Sequence, residues 1–203
     1  MLTRRTLIAS ALAAVIAMPA AAQQLSLNEI SAYLNSFTTG QGGFTQINAD
    51  GTLSTGTIYI KRPGRIRFEY AAPDNSLFVA GGGQVAVFDP RSNEGPQQFP
   101  LNQTPLNIIL EQNVDLARRN MVTGHTSDGT TTTVVAQDPD HPEYGAIHLV
   151  FTANPVELRQ WVIVDGSGGE TVVVLNDVST GGSISDRQFN IMAEMEARGF
   201  SPN

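Results

Sequence analysis

The chain has 203 residues, carries 12 basic and 19 acidic side chains, and contains no cysteine. The lack of cysteine excludes disulfide bonds, thiol catalysis and a lipid-modified cysteine at the start of the mature chain. The acidic balance argues against a nucleic-acid partner and against adhesion to anionic lipid, because both need a basic patch.

The first 22 residues have the pattern of a cleaved signal peptide. Residues 1–5 are basic, residues 6–18 are apolar but too short to span a bilayer, and alanines 20–22 form a small-residue cleavage site. Arg4 and Arg5 also resemble a twin-arginine signal, so the Sec and twin-arginine routes both stay open. Without residues 1–22 the chain keeps 10 of its 12 basic residues and all 19 acidic ones, a net charge of −9. We therefore expect one exported domain, residues 23–203, with no stable membrane anchor.

An amphipathic helix is predicted at the start of the mature chain. Ser26 and Glu29 have the spacing of a capping box, and Leu25 can pack on Ile30 as a hydrophobic staple. The apolar positions that follow share one stripe at helical spacing: Leu27, Ile30, Leu34 and Phe37. Glycines at 40–43 are expected to end this helix.

Short alternating runs then continue almost to the end of the chain. They are separated by turn residues at 50–51, 63–64, 73–74, 81–83 and 165–166. The predicted strands are residues 57–62, 65–70, 77–80, 84–88, 130–136, 146–151, 158–164 and 171–178. Consecutive strands of this kind predict a mainly β protein with one antiparallel sheet. With few helices to cover it, the sheet hides its apolar face most easily by curling into a barrel or half-barrel.

Residues 56–70 contain an arginine in an unusual place. Because side chains along a strand alternate, one face of the two predicted strands carries Ile58, Ile60, Arg62, Ile66, Phe68 and Tyr70. Lys61, Arg65 and Arg67 are expected to point outward to water. Arg62 therefore shares a face with apolar side chains. The alternative is an edge arginine that turns its guanidinium back to solvent.

A second short helix is predicted where Thr104 can cap a helix that starts with Pro105. Its apolar residues are Leu106, Ile108, Ile109 and Leu110. This segment either lies on the open mouth of the sheet or is a plug of the core.

No residue pattern predicts an enzyme or a metal site. His125, His141 and His148 fall in different predicted elements without ligand spacing, and there is no nucleophile motif. The acidic loop at 138–143 lacks the ligand alternation of a calcium loop and is expected to be a solvated turn. We expect no cofactor and no metal.

Several short motifs follow one another over roughly residues 25–112. They are Phe44-Thr45-Gln46, Gly56, Lys61-Arg62-Pro63, Phe68-Glu69-Tyr70, Pro73-Asp74, Gly83, Val87-Phe88-Asp89-Pro90, and Asn102-Gln103-Thr104-Pro105-Leu106 leading into Leu110. In this order and with this spacing they strongly resemble the LolA family, the periplasmic carriers of outer-membrane lipoproteins in Gram-negative bacteria. The sequence departs from the family in having Ala86 and Val87 where aromatic residues are common, and in its helix-like tail at 186–203.

The resemblance implies an unclosed antiparallel barrel with a helical lid over an apolar cavity for acyl chains. The lid latch of the family maps onto Arg62, and the lid itself maps onto the helices at 27–37 and 105–110. The cavity wall maps onto Ile58, Ile60, Ile66, Phe68, Tyr70 and Tyr59. Strand alternation puts Tyr59 on the opposite face from Arg62, so Tyr59 ranks below the others.

The family also implies partners and a compartment. The expected partners are acylated lipoproteins, an inner-membrane lipoprotein-releasing ABC transporter and an outer-membrane lipoprotein acceptor, with the carrier itself a periplasmic monomer. Two alternatives share the fold: a periplasmic binder of another lipid or amphiphile, and an envelope-stress sensor domain.

Overall fold

The computed structural model describes residues 24–118 and 120–200. The signal peptide expected for residues 1–22 lies outside the described residues. Eleven strands are described: β1 Thr39–Ile47, β2 Leu53–Lys61, β3 Arg65–Tyr70, β4 Leu77–Gly81, β5 Gln84–Phe88, β6 Gln97–Pro100, β7 Val122–Ser127, β8 Thr131–Gln137, β9 Ala146–Ala153, β10 Val156–Val164 and β11 Glu170–Thr180. The α-helices are α1 Leu27–Asn35, α2 Asn107–Leu110 and α3 Ile191–Ala197, with short 3-10 helices at Leu101–Gln103, Pro142–Tyr144 and Asp186–Phe189.

The strands form one antiparallel sheet in the order β6-β5-β4-β3-β2-β1-β11-β10-β9-β8-β7. Two meanders, β1 to β6 and β7 to β11, are joined where β1 pairs with β11. The free edges are β6 and β7, which do not pair with each other, so the barrel is unclosed. The chain between these two strands contains α2 and crosses the concave side of the sheet. The predicted fold class, a half-barrel with a helical lid, is confirmed.

Local sequence signals account for many of the element boundaries. The capping box is present, since the Glu29 amide donates to the Ser26 hydroxyl and the Ser26 amide donates to the Glu29 carboxylate. Helix α1 ends at Asn35, two residues before the predicted end. All five predicted turns lie between consecutive strands, and Gly51 and Gly64 adopt the positive φ that such tight turns require.

Other boundaries differ from the predictions. The glycines at 40–43 lie inside β1, where a bulge brings Val178 of β11 so close that a Cβ at Gly42 would stand 2.7 Å from the Val178 Cα. Helix α2 starts at Asn107 and has Leu106 as its N-cap, so the predicted cap at Thr104 is wrong. Thr104 instead ends the preceding 3-10 helix, its amide and hydroxyl both donating to the Leu101 carbonyl.

Two apolar clusters lie on opposite faces of the sheet. The larger fills the concave side and contains buried residues of α1, α2, strands β1 to β5 and strands β8 to β11. The smaller lies on the convex side, where Leu77, Val79, Ala86 and Phe88 of β4 and β5 pack against Ile191 and Met195 of α3. Strands β4 and β5 are therefore buried on both faces, which explains why they read as nearly continuous apolar runs. None of the described helices is long and apolar enough to cross a membrane.

Candidate functional site

Arg62 follows β2 directly and points into the concave side of the sheet. Only 6% of the residue is exposed. Its guanidinium donates hydrogen bonds to the carbonyls of Leu34 and Phe37 and to the Oδ1 of Asn35, at the C-terminal end of α1. Through Nε at 3.0 Å and Nη2 at 2.7 Å it also donates to the Glu111 carbonyl just after α2. One side chain thus connects both lid helices to the sheet.

Most acceptors of Arg62 are backbone carbonyls at or just beyond the ends of α1 and α2. The last carbonyls of a helix have no intrahelical donor and carry partial negative charge, so a cation with several N–H groups suits them. Burial lowers the pKa of Arg62, and the Glu111 carboxylate opposes that shift. An arginine remains charged at neutral pH in spite of this shift, so all of these hydrogen bonds are charge-assisted.

Further hydrogen bonds join α1 to the segment after α2. The Asn35 side chain pairs with both backbone groups of Val114, at 2.8 and 3.0 Å. The Leu116 amide donates to the Ser31 hydroxyl at 3.0 Å. On the other side, the Gly64 amide of the β2–β3 turn donates to the Leu110 carbonyl at 2.8 Å. The two lid helices therefore form one hydrogen-bonded layer, and Arg62 lies at its centre.

Beyond this layer the concave side opens into a cavity of about 380 Å³. Pro105 and Leu106 form its wall on the lid side, and strand residues form the rest. Tyr70, which lines it, pairs with Gly56 of β2, six residues before Arg62. At about 3.3 Å per strand residue this end of the cavity lies roughly 20 Å from Arg62 along β2, and Phe68, which pairs with Ile58, lies nearer to it. Most of the lining is apolar or aromatic: Phe68, Tyr70, Phe78, Phe99, Tyr144, Trp161, Ile163 and Val173.

Comparison with known proteins identifies the family. The sequence model described as "Outer membrane lipoprotein carrier protein LolA" matches residues 35–192. The chain belongs to the LolA family. It is 24% identical over 194 residues to the outer-membrane lipoprotein carrier protein of Pseudomonas aeruginosa, with 91% of this chain and 92% of the relative covered. It is 26% identical over 193 residues to the protein of that name from Chromohalobacter salexigens, with 89% and 90% covered.

Two solved structures are also similar to this chain. One is a LolA superfamily protein from Nitrosomonas europaea, with a TM-score of 0.47, 12% identity, and 82% of this chain and 98% of the other covered. The other is MucB in complex with periplasmic MucA, with a TM-score of 0.41, 13% identity, and 81% and 57% covered.

The predicted residues of the LolA cavity divide into two groups in the structure. Ile58, Ile60 and Ile66 are buried in the core beneath the lid and do not reach the open cavity. Phe68 and Tyr70 line the cavity. Of the predicted lid residues, Ile30, Leu34, Pro105, Leu106, Ile108, Ile109 and Leu110 are buried, whereas Leu27 and Phe37 are half-buried.

Tyr59 does not belong to the cavity wall, so its assignment there is wrong. It lies between Ile58 and Ile60, whose side chains point inward, so strand alternation turns it to the convex face. Burial there raises its pKa, with a further contribution from the nearby Glu69 carboxylate. Arg67, its register partner, is on that face too.

Arg67 is not the water-exposed cation that strand alternation predicts. It points outward as expected, but only 9% of the residue is exposed because the C-terminal segment covers it. It donates to the carboxylates of Glu69 at 2.7 Å and Glu194 at 3.0 Å, and to the Gln188 carbonyl at 3.0 Å. Nearby, Lys61 and Arg65 both contact the Asp186 carboxylate. The described part of the helix-like tail thus docks on the sheet.

Several residues that line the cavity were not predicted from the sequence. Trp161 and Val173 are register partners on β10 and β11, and both strands were predicted, so their inward alternation was a usable signal. Phe78 likewise faces Phe68 across β3 and β4, with ring centroids 5.5 Å apart. Phe99 had no such signal, because β6 is a four-residue edge strand without apolar periodicity.

Proposed function

We propose that this protein is a periplasmic carrier that binds the acyl chains of lipoproteins released from the inner membrane and delivers them to an outer-membrane acceptor. The observation that carries the proposal is the Arg62 guanidinium, which holds two helices over an apolar interior. Membership of a family described as lipoprotein carriers supports it. In this proposal an inner-membrane ABC transporter releases the cargo, and the carrier acts as a binding protein without catalysis.

Energetics explain why such a carrier needs a latch. Burying one methylene group is worth about 0.8 kcal/mol, so full burial of an anchor with two or three acyl chains brings tens of kcal/mol. Non-covalent affinity saturates near roughly −18 to −21 kcal/mol, and a cargo held that tightly would not be released. A carrier therefore has to make its loaded state less favourable. Hydrogen bonds that exist only in the empty, closed state have this effect.

The size of the cavity is consistent with a closed, empty carrier. If a methylene group takes about the 30 Å³ that water occupies in the liquid, 380 Å³ holds on the order of a dozen methylenes. That is less than an anchor of two or three chains needs. Loading must therefore displace the lid helices, whose apolar residues occupy the interior beside the cavity.

Displacing the lid breaks the hydrogen bonds of Arg62. Hydrogen bonds to charged groups are worth about 1.5–3 kcal/mol each, and Arg62 has acceptors on both α1 and the residue after α2. A carrier opened by cargo stores part of the binding energy as this broken latch. The return of α1 and α2 to Arg62 then favours transfer of the cargo to the acceptor.

The test is lipoprotein transfer by the Arg62→Leu variant. We expect the variant to fold, to release lipoprotein from spheroplasts as the wild type does, and to pass it to outer-membrane vesicles at least about tenfold more slowly, because the closed state has lost its charge-assisted bonds. Arg65→Leu is the matched control, since Arg65 lies on the same hairpin but binds Asp186. Transfer by Arg62→Leu at the wild-type rate would eliminate the latch role.

The cargo itself is tested by mass spectrometry of material that co-purifies with the mature chain. Diacylated or triacylated peptides support the lipoprotein carrier. A free lipid or another amphiphile would instead support the first alternative with the same fold. Absence of any acylated material, together with failure to release lipoprotein from spheroplasts, would favour a sensor domain over a carrier.

A further inference from the structure

One polar pair interrupts the apolar wall of the cavity. Tyr70 donates its hydroxyl hydrogen to the Oε1 of Gln46 at 2.7 Å, and the Nε2 of Gln46 donates to the Oδ1 of Asn48 at 2.6 Å. Asn48 in turn donates to the Thr52 hydroxyl, which donates to the Asp50 carboxylate. A directed chain of hydrogen bonds therefore runs from the cavity to the exposed β1–β2 turn.

This chain orients the Gln46 amide. Its oxygen accepts from Tyr70 and one of its two amide hydrogens is bound to Asn48. The second amide hydrogen has no hydrogen-bond partner among the described residues. Because Gln46 lines the cavity, this hydrogen is available to a bound ligand. An amide N–H left beside an apolar wall gains most from an acceptor that arrives together with an apolar chain.

Two other polar side chains of the cavity lining, those of Thr104 and Asp165, are already bound. The Thr104 hydroxyl donates to the Leu101 carbonyl at 2.8 Å. The Asp165 carboxylate accepts from the Ser167 amide, the Ser167 hydroxyl and the Gly169 amide within its own turn. Gln103, Tyr144 and Thr171 also line the cavity, but their side chains make no hydrogen bond to the described residues that would fix their direction. Gln46 differs from them because Tyr70 and Asn48 orient its amide.

The electrostatics favour a neutral acceptor over an anion. None of the described residues that line the cavity is basic, and Asp165 contributes a negative charge. Burial raises the pKa of Tyr70 to about 12, so its hydroxyl is neutral at physiological pH and keeps its hydrogen on Gln46. A carboxylate head would meet no cation here, whereas an ester or amide carbonyl needs only the N–H.

We propose that Gln46, oriented by Tyr70 and Asn48, is a subsite for the neutral carbonyl oxygen at the head of a bound acyl chain. This proposal rests on the proposed acyl-chain carrier and specifies which end of the chain the cavity recognises. An ester-linked chain and an amide-linked chain both carry such a carbonyl. The chain beyond it contacts the aromatic wall formed by Phe68, Phe78 and Trp161.

The test compares two ligands that differ only in the carbonyl oxygen, methyl laurate and lauryl methyl ether, by their displacement of an apolar fluorescent dye from the mature chain. Gln46→Glu keeps the side-chain shape and an acceptor for Tyr70 but removes the amide donor. We expect this variant to lower the ratio of ester affinity to ether affinity about three- to tenfold relative to the wild type. Gln41→Glu is the control, because Gln41 lies on the same strand but is exposed.

The outcomes separate this subsite from the carrier function. If both variants leave the ratio unchanged, or lower it equally, while both ligands still displace the dye, the subsite is wrong and the acyl-binding cavity stands. If neither ligand displaces the dye from the wild type, the acyl-binding function fails as well. Laurate, an anion at neutral pH, is expected to bind the wild type more weakly than its methyl ester, and tighter binding of laurate would overturn the proposal.

Discussion

Gly56 shows how one residue without a side chain shapes the concave face. It pairs with Phe44 on β1 and with Tyr70 on β3. A Cβ at this position would stand 2.0 Å from the Glu69 carbonyl oxygen and 2.7 Å from a ring carbon of Phe44. The Phe44 ring therefore lies over the backbone of β2 and makes edge-to-face contacts with Phe68 and Tyr70, at centroid distances of 5.2 and 5.1 Å. These rings form the floor beside the cavity.

We predict that Gly56→Ala lowers the free energy of unfolding by at least about 1 kcal/mol, since overpacking by the added methyl group forces the β2 backbone away from β3 and from the Phe44 ring. Urea denaturation of the mature chain measures this change. Gly43→Ala on β1 is the control, because the nearest atom to a Cβ there is 3.4 Å away, an ordinary contact. Equal stability of the two variants would show that β2 can shift to make room for the methyl group.

Arg62 and Arg67 give the β2–β3 hairpin a different role on each face. Arg62 lies at the end of β2 and holds the lid on the concave side, whereas Arg67 points to the convex side and holds the C-terminal segment. Arg62 was identified from its odd place on an apolar face. Arg67 has the same residue type in an ordinary outward position, and nothing local in the sequence shows that a segment more than a hundred residues later will cover it.

At the scale of elements, α3 is held by an apolar contact and an ionic one. Ile191 and Met195 cover the outer face of β4 and β5. Glu194, on the same helix, accepts from Arg67 at 3.0 Å and from Arg198 at 2.8 Å. Burial alone would raise the pKa of Glu194, but the hydrogen bonds from Arg198 and Arg67 outweigh it and hold the pKa below its ordinary value.

A carboxyl whose pKa is depressed by folding stabilises the fold above its unfolded pKa and loses that contribution as the pH falls through the folded pKa. We therefore predict that Glu194→Gln lowers the free energy of unfolding by about 1–3 kcal/mol at pH 7. The difference from the wild type should shrink as the pH falls below about 4.3, the ordinary pKa of a glutamate. Urea denaturation at a series of pH values measures both effects.

The control for this prediction is Glu196→Gln, an exposed glutamate on the same helix. It removes the same charge from α3 without removing a partner of Arg67. A pH-independent loss of stability in Glu194→Gln, or an equal loss in Glu196→Gln, would show that α3 is held by its apolar contacts alone.

At the scale of the whole molecule, periodicity predicted the half-barrel because most strands alternate cleanly and the turn residues separate them. It did not predict β1, β6 and β7, since the first half of β1 is rich in glycine and edge strands such as Val122–Ser127 have little apolar pattern of their own. Arg62 was predicted to hold the lid, yet the acceptors of its hydrogen bonds were not predicted. Leu34, Phe37 and Glu111 contribute backbone carbonyls that any residue carries, and nothing in the sequence distinguishes the Asn35 side chain. The sequence pattern thus indicates the donor, and only the fold identifies the acceptors.

The chain carries one tryptophan, Trp161, so tryptophan fluorescence reports on the surroundings of this residue. Trp161 lines the cavity, is 1% exposed, and lies with its ring centroid 6.2 Å from that of Phe68. We predict that a brominated acyl chain quenches this fluorescence on binding. We further predict that Arg62→Leu binds the probe about tenfold or more tightly than the wild type, since the binding-competent open state no longer has to break the latch.

A fluorescence titration of both proteins gives the two affinities directly. Arg65→Leu should bind the brominated chain as the wild type does, because its Asp186 partner lies outside the cavity lining. Quenching without any gain in affinity in Arg62→Leu would mean that chains enter beside a lid that stays closed, and that the bonds of Arg62 serve only the stability of the fold. A gain in affinity together with slow transfer is the combination that a latch predicts, since one set of hydrogen bonds opposes loading and favours release.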